Sequence, residues 1–169
     1  ATRDANGMPL SFLSGKIPGF QNWDCVDIEK DLCYFGIRKY EKEEARYISD
    51  NNVLVFEPSE CDPENMKGIK NHVNKYFRQY GEHSDKSKFW ISFDADSIDS
   101  SQFKSSSEIL PLKSGLTLEF IMKLFEVYTP HSIGMDFSEI NFSLTEGDAR
   151  LTDEQTFREI FEFICHQVN

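Results

Sequence analysis

The chain has 169 residues and a formal net charge of −11 at pH 7. This length fits one domain with a substantial core, and the acidic charge argues against partners such as nucleic acid or an anionic membrane surface. No apolar run approaches the length of a membrane span, and residues Ala1 to Asp4 lack the apolar core of a signal peptide.

The cysteines are widely and irregularly spaced, at Cys25, Cys33, Cys61 and Cys165. The sequence has no C-x-x-C pair, which disfavours a structural zinc site. We therefore expect reduced thiols and a cytoplasmic location.

The first part of the chain predicts two short strands separated by a charged helix. A short amphipathic helix over Gly7 to Leu13 is expected to end at Gly15, and an irregular loop follows it. The apolar runs and the helix-prone segment between them then predict, in order, a strand over 32–37, a helix over 39–48 and a strand over 53–56.

The next helix has both a clear start and a regular apolar stripe. Asp62-Pro63-Glu64 combines a capping acid, a proline at the first helical position and an acid near the positive end of the helix dipole. Apolar residues then recur at helical spacing up to a glycine at 81, at Met66, Ile69, Val73, Tyr76, Phe77 and Tyr80.

The second half of the chain predicts two more strands and two more helices. An apolar run from Lys88 leads into three acids, which predicts a buried strand that emerges at its carboxyl end. Further along come a helix over 116–128, a strand over 132–137 and a last helix introduced by the capping box Thr152-Asp153-Glu154-Gln155. Strands alternating with helices predict one α/β domain over residues 1–169, a three-layer α/β/α sandwich with a mainly parallel sheet covered on both sides.

Two of these strands end in polar residues suited to a functional site. Asp94, Asp96 and Asp99 follow one strand, and Glu139 follows another. Ligands of open α/β sheets bind beyond the carboxyl ends of strands, and two carboxylates at i and i+2 can converge on a hard cation. Asp99 is expected to stabilise a turn rather than to bind metal.

Four blocks in order resemble the arginase/agmatinase (ureohydrolase) family of dinuclear manganese hydrolases. Asn6 to Leu13 resembles its H-G-x-P-x-S-F-L segment, and Phe35 to Arg38 resembles I-G-x-R. Ser92 to Asp99 resembles S-F-D-x-D-x-x-D, and Asp136 to Asn141 resembles D-x-x-E-x-N. The resemblance implies an arginase/deacetylase-like fold, with this chain covering the C-terminal part of the family domain and its N-terminal part missing.

The resemblance also implies roles for individual residues. Asp94 and Asp96 match metal-binding aspartates, and Glu139 matches a carboxylate that grips a substrate guanidinium. Glu41, Glu44 and Thr2 match positions that hold the rest of the substrate, although a solvated charged face is an equal alternative for the two glutamates. Manganese is the implied cofactor, a guanidino compound the implied small-molecule partner, and a homo-oligomer (trimer or hexamer) the implied assembly.

Several departures surround this expected site. The family's earlier metal-binding histidine and D-x-H-x-D block have no counterpart here. Asn6 replaces a proton-relay histidine, and an amide cannot titrate near neutral pH. Leu110 replaces a threonine, and Ser100 and Phe142 replace prolines. We therefore predict a degenerate site that binds little or no metal, in a pseudoenzyme with a regulatory or interaction role.

Two alternatives stay open. An active manganese-dependent hydrolase of arginine- or agmatine-type substrates would result if a preceding segment supplied the other ligands. A haloacid-dehalogenase-like phosphatase, in which the first acid of D-x-D is the nucleophile, is the more remote one. It requires an apolar strand before Gly147-Asp148, and Ser143 to Glu146 is not one.

Overall fold

A computed structural model describes residues 13–15, 17–19, 27–80, 88–106 and 114–168. In chain order the elements are β1 (Cys33–Phe35), α1 (Lys42–Asn51), β2 (Leu54–Phe56), α2 (Met66–Tyr80), β3 (Phe89–Asp94), α3 (Leu118–Tyr128), β4 (Ser132–Ser138) and α4 (Gly147–Val168). This alternation confirms the α/β class. The helix predicted over Gly7 to Leu13 falls almost entirely outside the described residues, as does the capping Gly81.

The described strands form two parallel pairs. β1 lies beside β2 with Cys33 opposite Leu54, and the Gly36 amide extends the pair by donating to the Phe56 carbonyl at 2.8 Å. β3 lies beside β4 with Ile91 opposite Met135 and Asp94 opposite Ser138. Both connections contain a helix, as parallel pairing requires.

The β3–β4 pair is covered on one face only within the described residues, so the prediction of a buried strand was wrong for half of its side chains. Phe93 is buried in the core, whereas Trp90 on the opposite face is 61% exposed. Ser92 and Asp94 share that exposed face. The alternation along β3 is therefore typical of a half-buried strand, with apolar and polar side chains on opposite faces.

Aromatic side chains join both strand pairs into one hydrophobic core. The Phe35 and Phe56 rings stack with their centroids 5.0 Å apart, and Phe35 also meets Phe120 of α3 at 6.1 Å. The Phe93 ring packs edge-on against Phe125 at 5.4 Å. Because α3 contacts both pairs, it fixes the strand ends of one relative to those of the other.

The stripe predicted for α2 is confirmed over its middle, while Met66 is half-buried and the Tyr80 side chain lies outside what the structure describes. Ile69, Val73, Tyr76 and Phe77 are buried. Asp62 accepts a hydrogen bond from the Glu64 amide at 2.9 Å, so it caps a short 3-10 turn, Pro63–Asn65, which leads into the helix.

The predicted start of the last helix was wrong. α4 begins at Gly147, and the Thr152 hydroxyl donates to the Asp148 carbonyl at 2.8 Å, a bond made inside a helix rather than at its cap. Asp153, expected in the capping box, is instead buried at 3% exposure and has partners in a distant loop. In the part of the chain that the structure describes, no helix is long and apolar enough to cross a membrane.

Candidate active site at the strand ends

The end of β3 turns sharply around Asp94. Its carboxylate accepts a hydrogen bond from the Asp96 amide at 3.3 Å and so caps a single 3-10 turn, Ala95–Ser97. Desolvation by the packed strand ends raises the pKa of Asp94, the bond from the Asp96 amide opposes this rise, and the negative charge of Glu139 adds to it. Glu139 therefore lies near enough to Asp94 to affect the pKa of Asp94, which brings two predicted site residues together.

Asp99 stabilises the next turn, as expected. It accepts hydrogen bonds from the Ser101 hydroxyl at 2.5 Å, the Ser101 amide at 2.9 Å and the Gly115 amide at 3.0 Å. These bonds lower the pKa of Asp99, and the bond from the Ser101 hydroxyl has the largest effect. A Cβ atom at Gly115 would lie 2.3 Å from the Asp99 amide nitrogen, so only glycine permits this close approach.

Arg38 belongs to the candidate site, although no role was predicted for it from the sequence. It follows β1, and its side chain is only 7% exposed. Its guanidinium donates to the Asp96 carbonyl and lies 3.9 Å from the Asp96 carboxylate. The sequence feature that could have revealed this role is an arginine directly after an apolar strand, inside the I-G-x-R-like block.

Glu139 lies just beyond β4 in an unusual backbone conformation. Its φ of 59° falls in the left-handed region, which costs a non-glycine residue about 1 kcal/mol or more. The neighbouring Ile140 forms an isolated antiparallel bridge with Ser106, and the Asn141 amide donates to the Ser105 carbonyl at 2.7 Å. The loop beyond Ser101 therefore holds the Glu139 segment in place.

A buried polar network anchors that loop to α4. The Asp153 carboxylate accepts from the Ser105 hydroxyl at 2.7 Å and from the Lys104 amide at 3.1 Å. The Ser105 hydroxyl also lies 2.7 Å from that of Thr145. Asp153 thus supports the Glu139 segment through Ser105.

The exposed face behind the site carries a second network that the sequence did not predict. Asp136 of β4 accepts hydrogen bonds from the Trp90 indole at 2.5 Å and from the Ser92 hydroxyl at 2.8 Å. The Trp90 ring crosses Gly134, where a Cβ atom would lie 2.6 Å from it. These contacts tie β3 to β4 immediately before both strands reach the site.

The other predicted site residues are not brought into this cluster by any described contact. The Glu41 amide donates to the Glu44 carboxylate at 2.7 Å, in a capping box that begins α1. Thr2, Asn6 and Leu110 lie outside the described residues, and their roles stay predictions.

The donor set within the described residues is too small for a dinuclear manganese centre. Carboxylate oxygens suit manganese, but a cage for two ions needs several converging ligands. Among the residues that the structure describes, no group of three or more His, Cys, Asp or Glu side chains could hold a metal ion. Asp94 and Asp96 are therefore two candidate ligands without a completed set.

The raised pKa of Asp94 predicts a pH-dependent effect of Asp94→Asn. The folded state keeps the Asp94 proton to a higher pH than the unfolded state, so stability from this group is lost as pH rises through its folded pKa. Asn removes that penalty and can still accept from the Asp96 amide. We expect the melting temperature at pH 7 to rise by about 1–3 °C, because solvent screening keeps the effect below about 1 kcal/mol.

This gain should disappear below about pH 3, where the carboxyl is protonated in both states. Thermal melts of the wild type and Asp94→Asn from pH 3 to pH 7 measure it, with the exposed Glu126→Gln on α3 as control. A gain that stays constant with pH would show that ionisation of Asp94 is not its cause.

Comparison with known proteins identifies the class to which this fold and site belong. A model of the arginase family matches residues 2–165, so the chain belongs to the arginase family. This membership sets aside the phosphatase alternative. A comparison with curated protein sequences found no significant match.

Solved structures show the same fold. The chain is similar to the arginase of Helicobacter pylori, with a TM-score of 0.74 and 18% identity over 95% of this chain and 57% of that one. For the Bacillus subtilis enzyme the TM-score is 0.72 and the identity 19%, over 94% and 53%. For Trypanosoma cruzi formiminoglutamase, solved with Mn²⁺, they are 0.63 and 20%, over 98% and 52%. The chain spans about half the length of these relatives.

Proposed function

We propose that this chain is an arginase-family protein with a degenerate metal site, lacking ureohydrolase activity and serving as a regulatory or interaction subunit. The observation that carries this proposal is that, among the described residues, no third His, Cys, Asp or Glu side chain joins Asp94 and Asp96 in a group that could hold a metal ion. Asp94 caps the turn that follows β3, and Asp96 faces the guanidinium of Arg38.

Arg38 adds a permanent positive charge beside Asp96, although an arginine at this position is itself part of the family's I-G-x-R block. The guanidinium is almost fully buried and always protonated, so it repels a nearby divalent cation and competes for the Asp96 carboxylate. Asp94 and Asp96 alone would leave most coordination positions of a metal ion to water. Such sites bind divalent ions weakly.

The resemblance supplies the second support. Asn6 stands where the family places a proton-relay histidine, and its amide can neither take up nor release a proton near neutral pH. Together with Leu110, this change removes polar functions expected around the substrate. If manganese did bind, Asp94 and Asp96 would hold it, and it would supply a hydroxide of lowered pKa.

A second candidate is an active manganese-dependent hydrolase of guanidino substrates. The observation that favours it is length, because this chain matches about half of each solved relative. The other half of the domain could bring the missing ligands to Asp94 and Asp96, while Glu139 would bind the guanidinium.

On either proposal the protein acts in the cytoplasm, consistent with the unpaired thiols of Cys33 and Cys61.

Equilibrium titration with manganese tests the first proposal against the second. Metal bound per chain is measured after dialysis of the full-length protein against Mn²⁺, beside the double variant Asp94→Asn/Asp96→Asn. We expect no saturable binding at micromolar metal and no difference between the two proteins. Two ions per wild-type chain, lost in the double variant, would contradict the degenerate site and favour the active enzyme.

A further inference from the structure

Helix α2 carries an open groove on its solvent side. The groove has a volume of about 460 Å³, and the described residues that line it are all polar: Asn71, Asn74, Lys75, Arg78 and Gln79. Their spacing of i, i+3, i+4, i+7 and i+8 places them on one face of the helix. The apolar stripe from Ile69 to Phe77 is buried against the core and does not line the groove. We call this feature the polar groove of α2.

The lining of the polar groove is rich in hydrogen-bond donors and lacks acids. The Lys75 ammonium and the Arg78 guanidinium bring positive charge, and the side-chain amides bring further donors. Among the described residues, no side-chain hydrogen bond engages Asn71, Asn74 or Gln79. The groove therefore presents a set of donors that an anion with several oxygen atoms could use together.

The charge of the surrounding protein makes the polar groove a local exception. Helix α2 contains four basic residues and no Asp or Glu, whereas the whole chain has a net charge of −11. The rest of the chain therefore carries −15, which repels anions from most of the surface. The helix dipole favours Lys75 and Arg78 near the carboxyl end of α2 but disfavours an anion there. Binding in the groove must therefore come from its side chains.

The polar groove is separate from the candidate active site. Phe77, on the core side of α2, packs 5.9 Å from Phe89, which is the first residue of β3. Asp94 is the last residue of that strand, and a rise of about 3.3 Å per residue places it roughly 16 Å further along. The groove therefore lies near the amino end of β3, and the candidate active site lies at its carboxyl end.

We propose that the polar groove of α2 binds a small polyphosphate anion, either inorganic or as the phosphate chain of a nucleotide. Linked phosphate groups present several charged acceptor oxygens, which suit charge-assisted hydrogen bonds from Lys75 and Arg78. The amides of Asn71, Asn74 and Gln79 can donate to the remaining oxygens. This inference does not rest on the state of the metal site.

The size and charge of the groove favour a small ligand of this class. Its volume lies within the range of about 300–1,000 Å³ that is usual for small-molecule sites, so it has room for more than one phosphate group. A long polyanion such as a nucleic acid would extend beyond the groove and meet the acidic remainder of the chain. The absence of apolar side chains from the described lining disfavours a hydrophobic ligand.

Isothermal titration calorimetry of the full chain tests the proposal. Inorganic tripolyphosphate is titrated without divalent metal in about 0.05 M and about 0.5 M NaCl, between which the Debye length falls from roughly 14 Å to about 4 Å. We expect one ligand per chain at low salt and at least about tenfold weaker binding at high salt. No saturable binding at low salt would overturn the proposal, as would equally tight binding of citrate.

The same titration with ATP separates the two sources of a polyphosphate chain. An affinity for ATP equal to or below that for tripolyphosphate would identify the phosphate groups alone as the recognised part. Tighter binding of ATP would identify a nucleotide as the ligand. Either result supports a polyphosphate site only if the substitutions below weaken the binding.

Two substitutions in the groove locate the bound anion. Lys75→Glu and the isosteric Asn71→Asp each place a carboxylate among the donors, so each should weaken tripolyphosphate binding at least about tenfold at low salt. Circular dichroism confirms that both variants are folded. Lys70→Glu is the matched control for Lys75→Glu, because Lys70 is exposed on the same helix but does not line the groove. It should weaken binding less than about threefold.

The variants also give the outcomes that would contradict the proposal. Equal weakening by Lys70→Glu and Lys75→Glu would show a general effect of charge rather than a site. Unchanged binding by both Lys75→Glu and Asn71→Asp would place the anion elsewhere. Asp94→Asn/Asp96→Asn should bind tripolyphosphate as tightly as the wild type, and a changed affinity in that variant would locate the anion at the strand ends instead.

Discussion

Phe120→Ala is expected to lower the free energy of unfolding by about 3–5 kcal/mol, the usual cost of emptying a large buried aromatic site. Phe120 is completely buried, and its ring packs 6.1 Å from that of Phe35. It therefore joins α3 to the β1–β2 pair, and Arg38 lies three residues beyond the end of β1. The loss should weaken the core and the approach of Arg38 to Asp96 together.

Urea denaturation followed by circular dichroism measures this loss. Phe161→Ala is the matched control, because Phe161 is half exposed at 50% and should cost less than about 1.5 kcal/mol. A loss below about 1 kcal/mol for Phe120→Ala would show that α3 does not hold the two strand pairs together.

Asp153→Ala is expected to cost about 2–4 kcal/mol, although it removes a charge from an acidic protein. The substitution removes the acceptor of two hydrogen bonds and leaves the Lys104 amide without its described partner. Buried donors that lose a charged acceptor carry the full desolvation penalty. Because Ser105 in turn holds Asn141, the Glu139 segment should also loosen.

Two measurements separate the global from the local effect. Urea denaturation gives the stability, with the exposed Glu162→Ala of the same helix expected to change it by less than about 0.5 kcal/mol. Amide hydrogen exchange should accelerate at Asn141 more than at Phe93. Unchanged exchange at Asn141 would show that Asp153 does not support the Glu139 segment.

Local sequence patterns predicted most of the fold because the relevant forces act between near neighbours. The apolar spacing from Ile69 to Phe77 fits only a helix packed on a core. Asp62 caps the preceding turn through the amide of Glu64, which is only two residues away. The start of α4 was mispredicted because Thr152-Asp153-Glu154-Gln155 also fits a capping box. Nothing nearby in the sequence reveals that Asp153 binds a loop 48 residues earlier.

The places of Asp94, Asp96 and Glu139 at strand ends were predicted, but their contacts were not. Asp94, Asp96 and Glu139 were found because an apolar run that ends in acids marks a strand end. The partner of Asp96 is Arg38, 58 residues away, so only the tertiary fold brings the two together. The Trp90–Asp136 contact joins residues 46 positions apart in the sequence, so local patterns could not predict it either.

Urea release by the full-length protein tests directly whether its metal site is inactive. The protein is incubated with excess Mn²⁺ and either arginine or agmatine, beside protein-free samples and the Glu139→Gln variant. We predict urea at the protein-free level for the wild type with both substrates. Metal-dependent release that Glu139→Gln abolishes would contradict it and establish an active ureohydrolase.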